Sequence, residues 1–235
     1  MTRETLERKI RELLDGVLLL GSMVEQATLD AVDSLKRRDV EASRRIYADD
    51  KRINDKRFDI ETDCLIVIAT QQPLATDLRI LASILEIITE LERMGDYAKG
   101  IARINVDMGD EPLLKPLIDI PRMAQLATSM LHRALQAFVN ADEKAARAIP
   151  REDDQIDVLY NQVHRDLLDI QIKDPTTVDR ANALLWAAHN LERLADRVTN
   201  ICERAIFVAT GKLLELDVTD DELDKGRSQT TTESG

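Results

Sequence analysis

QQPLATDLRILASILEIITELERMGDYAKGIA (Gln71–Ala102) and its partial echo DPTTVDRANALLWAAHNLERLADRVTNICE (Asp174–Glu203) decide the fold. Each stretch opens on a proline, Pro73 or Pro175, whose fixed φ suits the first turn of a helix. An Asp follows four residues later (Asp77, Asp179), and further on comes Leu-Glu-Arg with an Asp behind it. These are Leu91-Glu92-Arg93 with Asp96, and Leu191-Glu192-Arg193 with Asp196. Between them Leu81, Ile84, Ile88, Leu91, Ala98 and Ala102 recur at spacings that line one face of a long helix.

The correspondence extends upstream. A shift of 103 residues lays Asp39 on Asp142, Ala42 on Ala145, Ile46 on Ile149, Asp50 on Asp153, Ile53 on Ile156, Asn54 on Asp157 and Asp63 on Asp166. The prolines match at a shift of 102, and the Leu-Glu-Arg match follows after a further two-residue gap. A repeat of about 100 residues holding three helices each implies an internal duplication and two similar bundles.

The first helix is predicted from about Glu4 to Lys36, on the seam Leu6, Ile10, Leu13, Val17, Leu20, Val24, Ala27 and Ala31. Asp39 reads as the N-cap of the second helix, which stops before Pro73 because a pre-proline residue resists helical geometry. The third carries the quoted stretch. Asp107–Pro121 holds one Gly and three Pro in 15 residues and reads as the linker. Helices are then predicted over about Arg122–Asn140, Glu143–Ile172 and Pro175–Leu214. The expected domains are a first bundle over 1–107, a linker over 108–121, a second bundle over 122–214 and an acidic, disordered tail over 215–235.

Composition supports this all-α reading. Aromatics make up 3% of the chain, with 8 Gly and 6 Pro in 235 residues, so the core is aliphatic and helix breakers are few. The net charge is −12, of which the tail from Glu215 onward supplies −5; an acidic chain without a basic domain argues against nucleic acid as partner. Cys64 and Cys202 stand alone in apolar patterns, which points to a reducing, cytoplasmic setting. The N-terminus reads as a charged amphipathic helix rather than a signal peptide. No apolar run approaches the ~18 residues that span a bilayer.

Helix geometry brings acids together. Glu92 and Asp96 share a face, as do Glu192 and Asp196. With a turn near Gln72, Asp50 and Asn54 stand 22 and 18 residues before it, and Glu92 and Asp96 stand 20 and 24 after it. Antiparallel helices rising ~1.5 Å per residue place them at similar heights. Around Asp174, Asp153 and Asp157 likewise face Glu192 and Asp196. Converging carboxylates repel unless a proton or cation intervenes. Oxygen ligands suit Mg²⁺, Mn²⁺, Ca²⁺ or oxidised iron better than structural zinc. The alternative is ordinary ion pairing with Arg52, Arg93, Arg193 and Arg197; the duplication of the arrangement favours the cation.

These strings, with DDQIDVLYNQV (Asp153–Val163), resemble the signature helices of the PhoU family, and the resemblance runs from about Leu13 to Leu214. It implies two three-helix bundles whose E-x-x-x-D motifs bind metal ions, with Glu92, Asp96, Glu192 and Asp196 as motif acids and Asp50, Asp153 and Asp157 opposite. It implies iron, manganese or magnesium as cofactor and a cytoplasmic homodimer. It further implies a negative regulator of phosphate uptake and phosphate-starvation signalling, working with a phosphate-sensing histidine kinase and the ATPase subunit of the phosphate ABC transporter. Membrane association would come only through those partners. The chain departs from the family pattern at Asn54, where an acid is expected, and at Tyr97 and Arg197, where His is frequent. Gly100 stands where the second half has Asn200.

No nucleophile-and-base arrangement and no Gly-rich phosphate loop is present, so no catalytic residues are assigned. The competing readings are a carboxylate-bridged phosphatase or oxidase, and a metal-free helical adaptor. His189, three before Glu192, reads as a ligand or a polar contact. Trp186 reads as a core or dimer contact. Asp77 and Asp179 read as charges favourable to a helix N-terminus or as partner or metal contacts. Arg38, Arg45 and Arg52 form a basic stripe that is either solvated or docks an acidic partner or membrane surface.

Overall fold

The computed structural model describes residues 3–216, which form seven α-helices: α1 Arg3–Arg37, α2 Val40–Gln71, α3 Thr76–Asp107, α4 Asp119–Val139, α5 Glu143–Ala148, α6 Asp153–Lys173 and α7 Val178–Thr210. Single 3₁₀ turns occupy Ile149–Glu152 and Pro175–Thr177. The described residues contain no strand. The expected tail lies outside the described residues from position 217 on.

Helices α1, α2 and α3 pack on one another, and α4, α6 and α7 do the same with α5 set against α4 and α7. These are the two expected three-helix units. They share one continuous apolar core, because α3 packs along α7 and α1 along α4. On α3 and α7, Glu90 meets Arg197, the Arg193 guanidinium lies 5.8 Å from the Tyr97 ring, and Gly100 faces Asn190. Numbers that rise on one helix fall on the other, so the two run antiparallel. On α1 and α4, Gly21 faces Leu135 and Glu25 pairs with His132 in the same sense. The repeats are therefore related by an approximate two-fold axis.

Matching turns carry the repeat into the backbone. Arg38 and Ala141 both adopt positive φ, 58° and 49°. Each precedes an N-cap Asp: Asp39 accepts from the Ala42 amide at 2.8 Å, and Asp142 from the Ala145 amide at 3.0 Å.

Four boundaries differ from the expected ones. Helix α3 begins at Thr76, after Ala75 at positive φ (45°), so Pro73 lies in the turn before the helix and not in its first turn. The helix predicted over Glu143–Ile172 is broken at Pro150, which stands where the first half has Tyr47. Proline lacks the amide and clashes with the preceding turn, so the chain passes through a 3₁₀ turn and restarts as α6 at Asp153. The last helix begins at Val178 and ends at Thr210, because Gly211 takes a left-handed conformation (φ 76°) and caps it. Helix α4 begins at Asp119, with Pro121 inside its first turn, where the missing amide has no partner to lose.

One buried polar group ties the first unit together. Asn105, fully buried on α3, donates to the Ser34 carbonyl at 3.1 Å, the Asp39 carbonyl at 3.2 Å and Ser43 Oγ at 2.8 Å, and accepts from Arg38. It thereby clamps the α1–α2 turn to α3. Asn105→Leu strands buried polar partners. The expected loss is about 2 kcal/mol, or roughly 4–8 °C in Tm for a chain of this size. An unchanged melting curve would refute the clamp.

Candidate metal centre

The two carboxylate groups differ in how far the protein itself satisfies them. In the first unit, Asp50 on α2 is 5% exposed and faces α3 at Gly95, where a Cβ would stand 3.8 Å from its Oδ1. Asp50 Oδ2 accepts from Lys99 Nζ at 2.7 Å and Asn54 Nδ2 at 3.1 Å. Lys99 Nζ also lies 3.7 Å from Asp96 Oδ1. Burial raises the Glu92 carboxyl above the usual range, reinforced by the charges of Asp96 and Asp50 and opposed by Arg57 and Arg93.

In the second unit, Asp153 stands at the first position of α6, Asp157 one turn on, and Glu192 and Asp196 face them from α7. Burial, then the charges of Asp196, Asp157 and Glu192, pushes the Asp153 carboxyl up to about 7. Burial also raises Asp196, with Asp157 next; Glu192, with Asp196 next; and Asp157, with Asp154 next. Asp153 Oδ1 and Glu192 Oε2 are buried without a hydrogen-bond partner. His189 Nδ1 approaches Glu192 Oε2 to 3.1 Å, close enough for an ion pair but not aligned as a hydrogen bond.

Three of the arginines named as alternative partners make their nearest contacts elsewhere, while their charges still oppose the rise of Glu92 (Arg93), Glu192 (Arg193) and Asp196 (Arg193 and Arg197). Arg197 reaches Glu90 on α3 at 3.3 Å, Arg93 lies 3.6 Å from Glu90, and Arg193 lies over Tyr97. Among the described residues, Asp153, Asp157, Asp196 and Glu92 make no ion pair within 4.0 Å. Nor do three acidic, His or Cys side chains close into a ready-made coordination shell among the described residues. The second group nevertheless fits a cation: orphaned buried oxygens, hard donors, and carboxyls whose pKa burial and then neighbouring like charges raise. The first group fits one poorly, because Lys99 already supplies a positive charge to its most buried member.

The remaining residues singled out in the sequence fall as follows. Asp77, 8% exposed, pairs with Arg3 and pins the start of α1 to α3, whereas Asp179 is exposed. His189 is a polar contact of Glu192, flanked by the rings of Trp186 and Tyr160. Trp186 is 61% exposed, which removes the core reading. Arg38 turns inward to Asn105 and to the Gly109 carbonyl at 2.7 Å, while Arg37, Arg44 and Lys51 pair with acids on their own helices. Cys64 and Cys202 are buried free thiols, pushed by burial to about 11 and about 12. Sequence reasoning missed Lys99 and Asn105. The signal for Lys99 was its position seven after Glu92 and three after Asp96, on the same helix face.

Comparison with known proteins matches this architecture. The family model described as PhoU domain matches twice, at residues 17–104 and 120–205. A "Phosphate-specific transport system accessory protein PhoU homolog" of Clostridium acetobutylicum is 34% identical over 218 residues, covering 92% of this chain and 100% of that protein. The Escherichia coli "Phosphate-specific transport system accessory protein PhoU" is 34% identical over 217 residues, covering 92% and 90%. The crystal structure of the phosphate transport system regulatory protein PhoU from Streptococcus pneumoniae superposes with a TM-score of 0.82 at 31% identity, covering 89% of this chain and 99% of that one. Two matched repeats, a shared fold and identity sustained along nearly the whole chain make this protein a member of the PhoU family.

Proposed function

We propose that this chain is a regulatory adaptor of phosphate transport that lowers phosphate uptake and silences phosphate-starvation signalling when phosphate is plentiful. The observation that carries the reading is the similarity, over about nine-tenths of the chain, to proteins named as accessory and regulatory components of phosphate transport. The adaptor works in the cytoplasm as a homodimer. It docks on a phosphate-sensing histidine kinase and on the ATPase subunit of the phosphate ABC transporter. No described helix is long and apolar enough to cross a membrane, in keeping with membrane contact made through partners. Exposed Trp186 suits a contact surface.

Asp153, Asp157, Glu192 and Asp196 would hold the metal, with iron, manganese or magnesium as the class of ion. A bound cation would supply charge compensation that ties α6 to α7. The chain's own residues orient the donors: the break at Pro150 starts α6 at Asp153, and Glu90 draws the Arg197 guanidinium toward α3. The role is structural and regulatory rather than catalytic.

Deleting the gene is expected to raise phosphatase expression several-fold in phosphate-replete medium, and tagged protein is expected to retain the kinase or the transporter ATPase in a pull-down. Unchanged expression together with an empty pull-down would overturn the adaptor. Metal-dependent turnover of phosphate esters or oxygen by the purified protein would point instead to the enzyme reading.

A further inference from the structure

The two repeats diverge where their acids meet. In the first unit the Lys99 ammonium, reaching from α3, sits 2.7 Å from Asp50 on α2 and 3.7 Å from Asp96 on its own helix. It also lies 5.3 Å from the centre of the Tyr47 ring, which adds a cation–π contact on another side. Asn54 completes the hydrogen bonding of Asp50 with a neutral amide. The matching positions in the second unit are Thr199 for Lys99, Pro150 for Tyr47 and Asp157 for Asn54. One unit thus has an ammonium, a ring beside it and an amide. The other has a neutral hydroxyl, a helix break and a fourth carboxylate, and it leaves buried oxygens without partners.

A divalent ion entering the first cluster through Asp50 must displace an ammonium held at hydrogen-bond distance or sit beside it. Like charges a few ångströms apart repel strongly at a partly buried site. Displacement also sends Lys99 into water and forfeits a charge-assisted hydrogen bond. At the second cluster no lysine or arginine makes an ion pair with Asp153, Asp157, Glu192 or Asp196 among the described residues; Arg193 and Arg197 act on it from farther off, and His189 is its nearest nitrogen.

We infer that Lys99 is the resident cation of the first cluster and excludes metal from it, so that the chain takes up metal at its second cluster alone. The two halves then have different tasks: the first is held by an internal charge under all conditions, and the second responds to metal supply. The one-sided metal loading rests on the second-cluster reading above, whereas the exclusion by Lys99 does not, and the experiment separates them.

The test is Mn²⁺ titration calorimetry and thermal melting on the full chain. Four proteins are compared: wild type, Glu192→Gln/Asp196→Asn, and that double variant carrying either Lys99→Thr or Lys99→Gln. Helical circular dichroism checks the folding of each, and Lys99→Gln keeps the side-chain length should Lys99→Thr unfold. The double variant with Lys99 intact is expected to bind no Mn²⁺ measurably. Removing the ammonium is expected to restore binding roughly ten-fold or more tighter, the scale on which neighbours of a metal site act, with a metal-dependent rise in Tm. Binding by the double variant that disappears on Asp50→Asn overturns the inference, as does the absence of any gain in both Lys99 variants. If wild type binds no Mn²⁺ while a Lys99 variant does, the second-cluster reading falls and the exclusion by Lys99 stands.

Discussion

The Glu192→Gln/Asp196→Asn chain is expected to lose the stabilisation that Mn²⁺ confers on wild type. At a free metal concentration near 100 times Kd, a site present only in the folded state adds about 2.7 kcal/mol. For a chain of this size that is a rise of roughly 5–10 °C in Tm. The variant keeps Asp153 and Asp157 but leaves α7 only neutral amide oxygens in place of its two anionic donors, which bridge the helices far more weakly. Its affinity falls by more than about 100-fold, since even an outer neighbour of a metal site is worth 10–100-fold.

The metal-free proteins are expected to move the opposite way. In the folded wild type burial raises all four carboxyls, Asp153 from 3.8 to about 7. A raised carboxyl binds its proton more tightly folded than unfolded, so its contribution to stability is fully present below 3.8 and is lost as pH rises through about 7. Removing two of the neighbouring charges relieves that loss. Above pH 7 the metal-free double variant is therefore more stable than metal-free wild type, and its dependence on pH is flatter. Equal melting of both proteins, with and without Mn²⁺, at pH 5 and pH 8 would show that these acids are simply solvated.

The second large effect is expected at Gly21. A Cβ built there would stand 2.1 Å from Leu135 Cδ1, and Leu135 is itself 2% exposed. Gly21→Leu must either rotate Leu135 within a packed core or push α1 away from α4. Overpacking of this kind costs about 3 kcal/mol, or roughly 6–12 °C in Tm. Gly21→Ala is milder, because the better helix propensity of alanine returns about 1 kcal/mol. Hydrogen exchange should quicken along the facing parts of α1 and α4 first, with α2 following later. Uniform exchange and an unshifted Tm in Gly21→Leu would mean that the contact between the units yields freely.

The seam of α1, the two quoted helices and the cap Asp39 were legible in the sequence because each depends on local spacing. Counting residues from the turn placed Asp50 against the Glu92–Asp96 face correctly, since straight antiparallel helices preserve height. The break at Pro150 was missed because the duplication made the second half look like the first. The proline's own rule outweighs the analogy there, and it turns what would be one helix into α5, a 3₁₀ turn and α6. Lys99 and Asn105 were missed for a different reason. Periodicity places a residue on a face but does not say which opposing group it reaches, and both act across helices. The sharing of one core by the two units was likewise invisible, because a heptad seam reports that a helix is buried and not by what.

The approximate two-fold packing of α3 on α7 and α1 on α4 has an ancestral meaning. Each half presents the same surface that it receives, an isologous contact of the kind that joins identical subunits. A single ancestral repeat would therefore have had an apolar face complementary to itself and would have paired before the gene doubled. Fusion freed the two copies to diverge, and the swap of an ammonium for a threonine between positions 99 and 199 is the kind of asymmetry that a symmetric pair of identical chains does not allow.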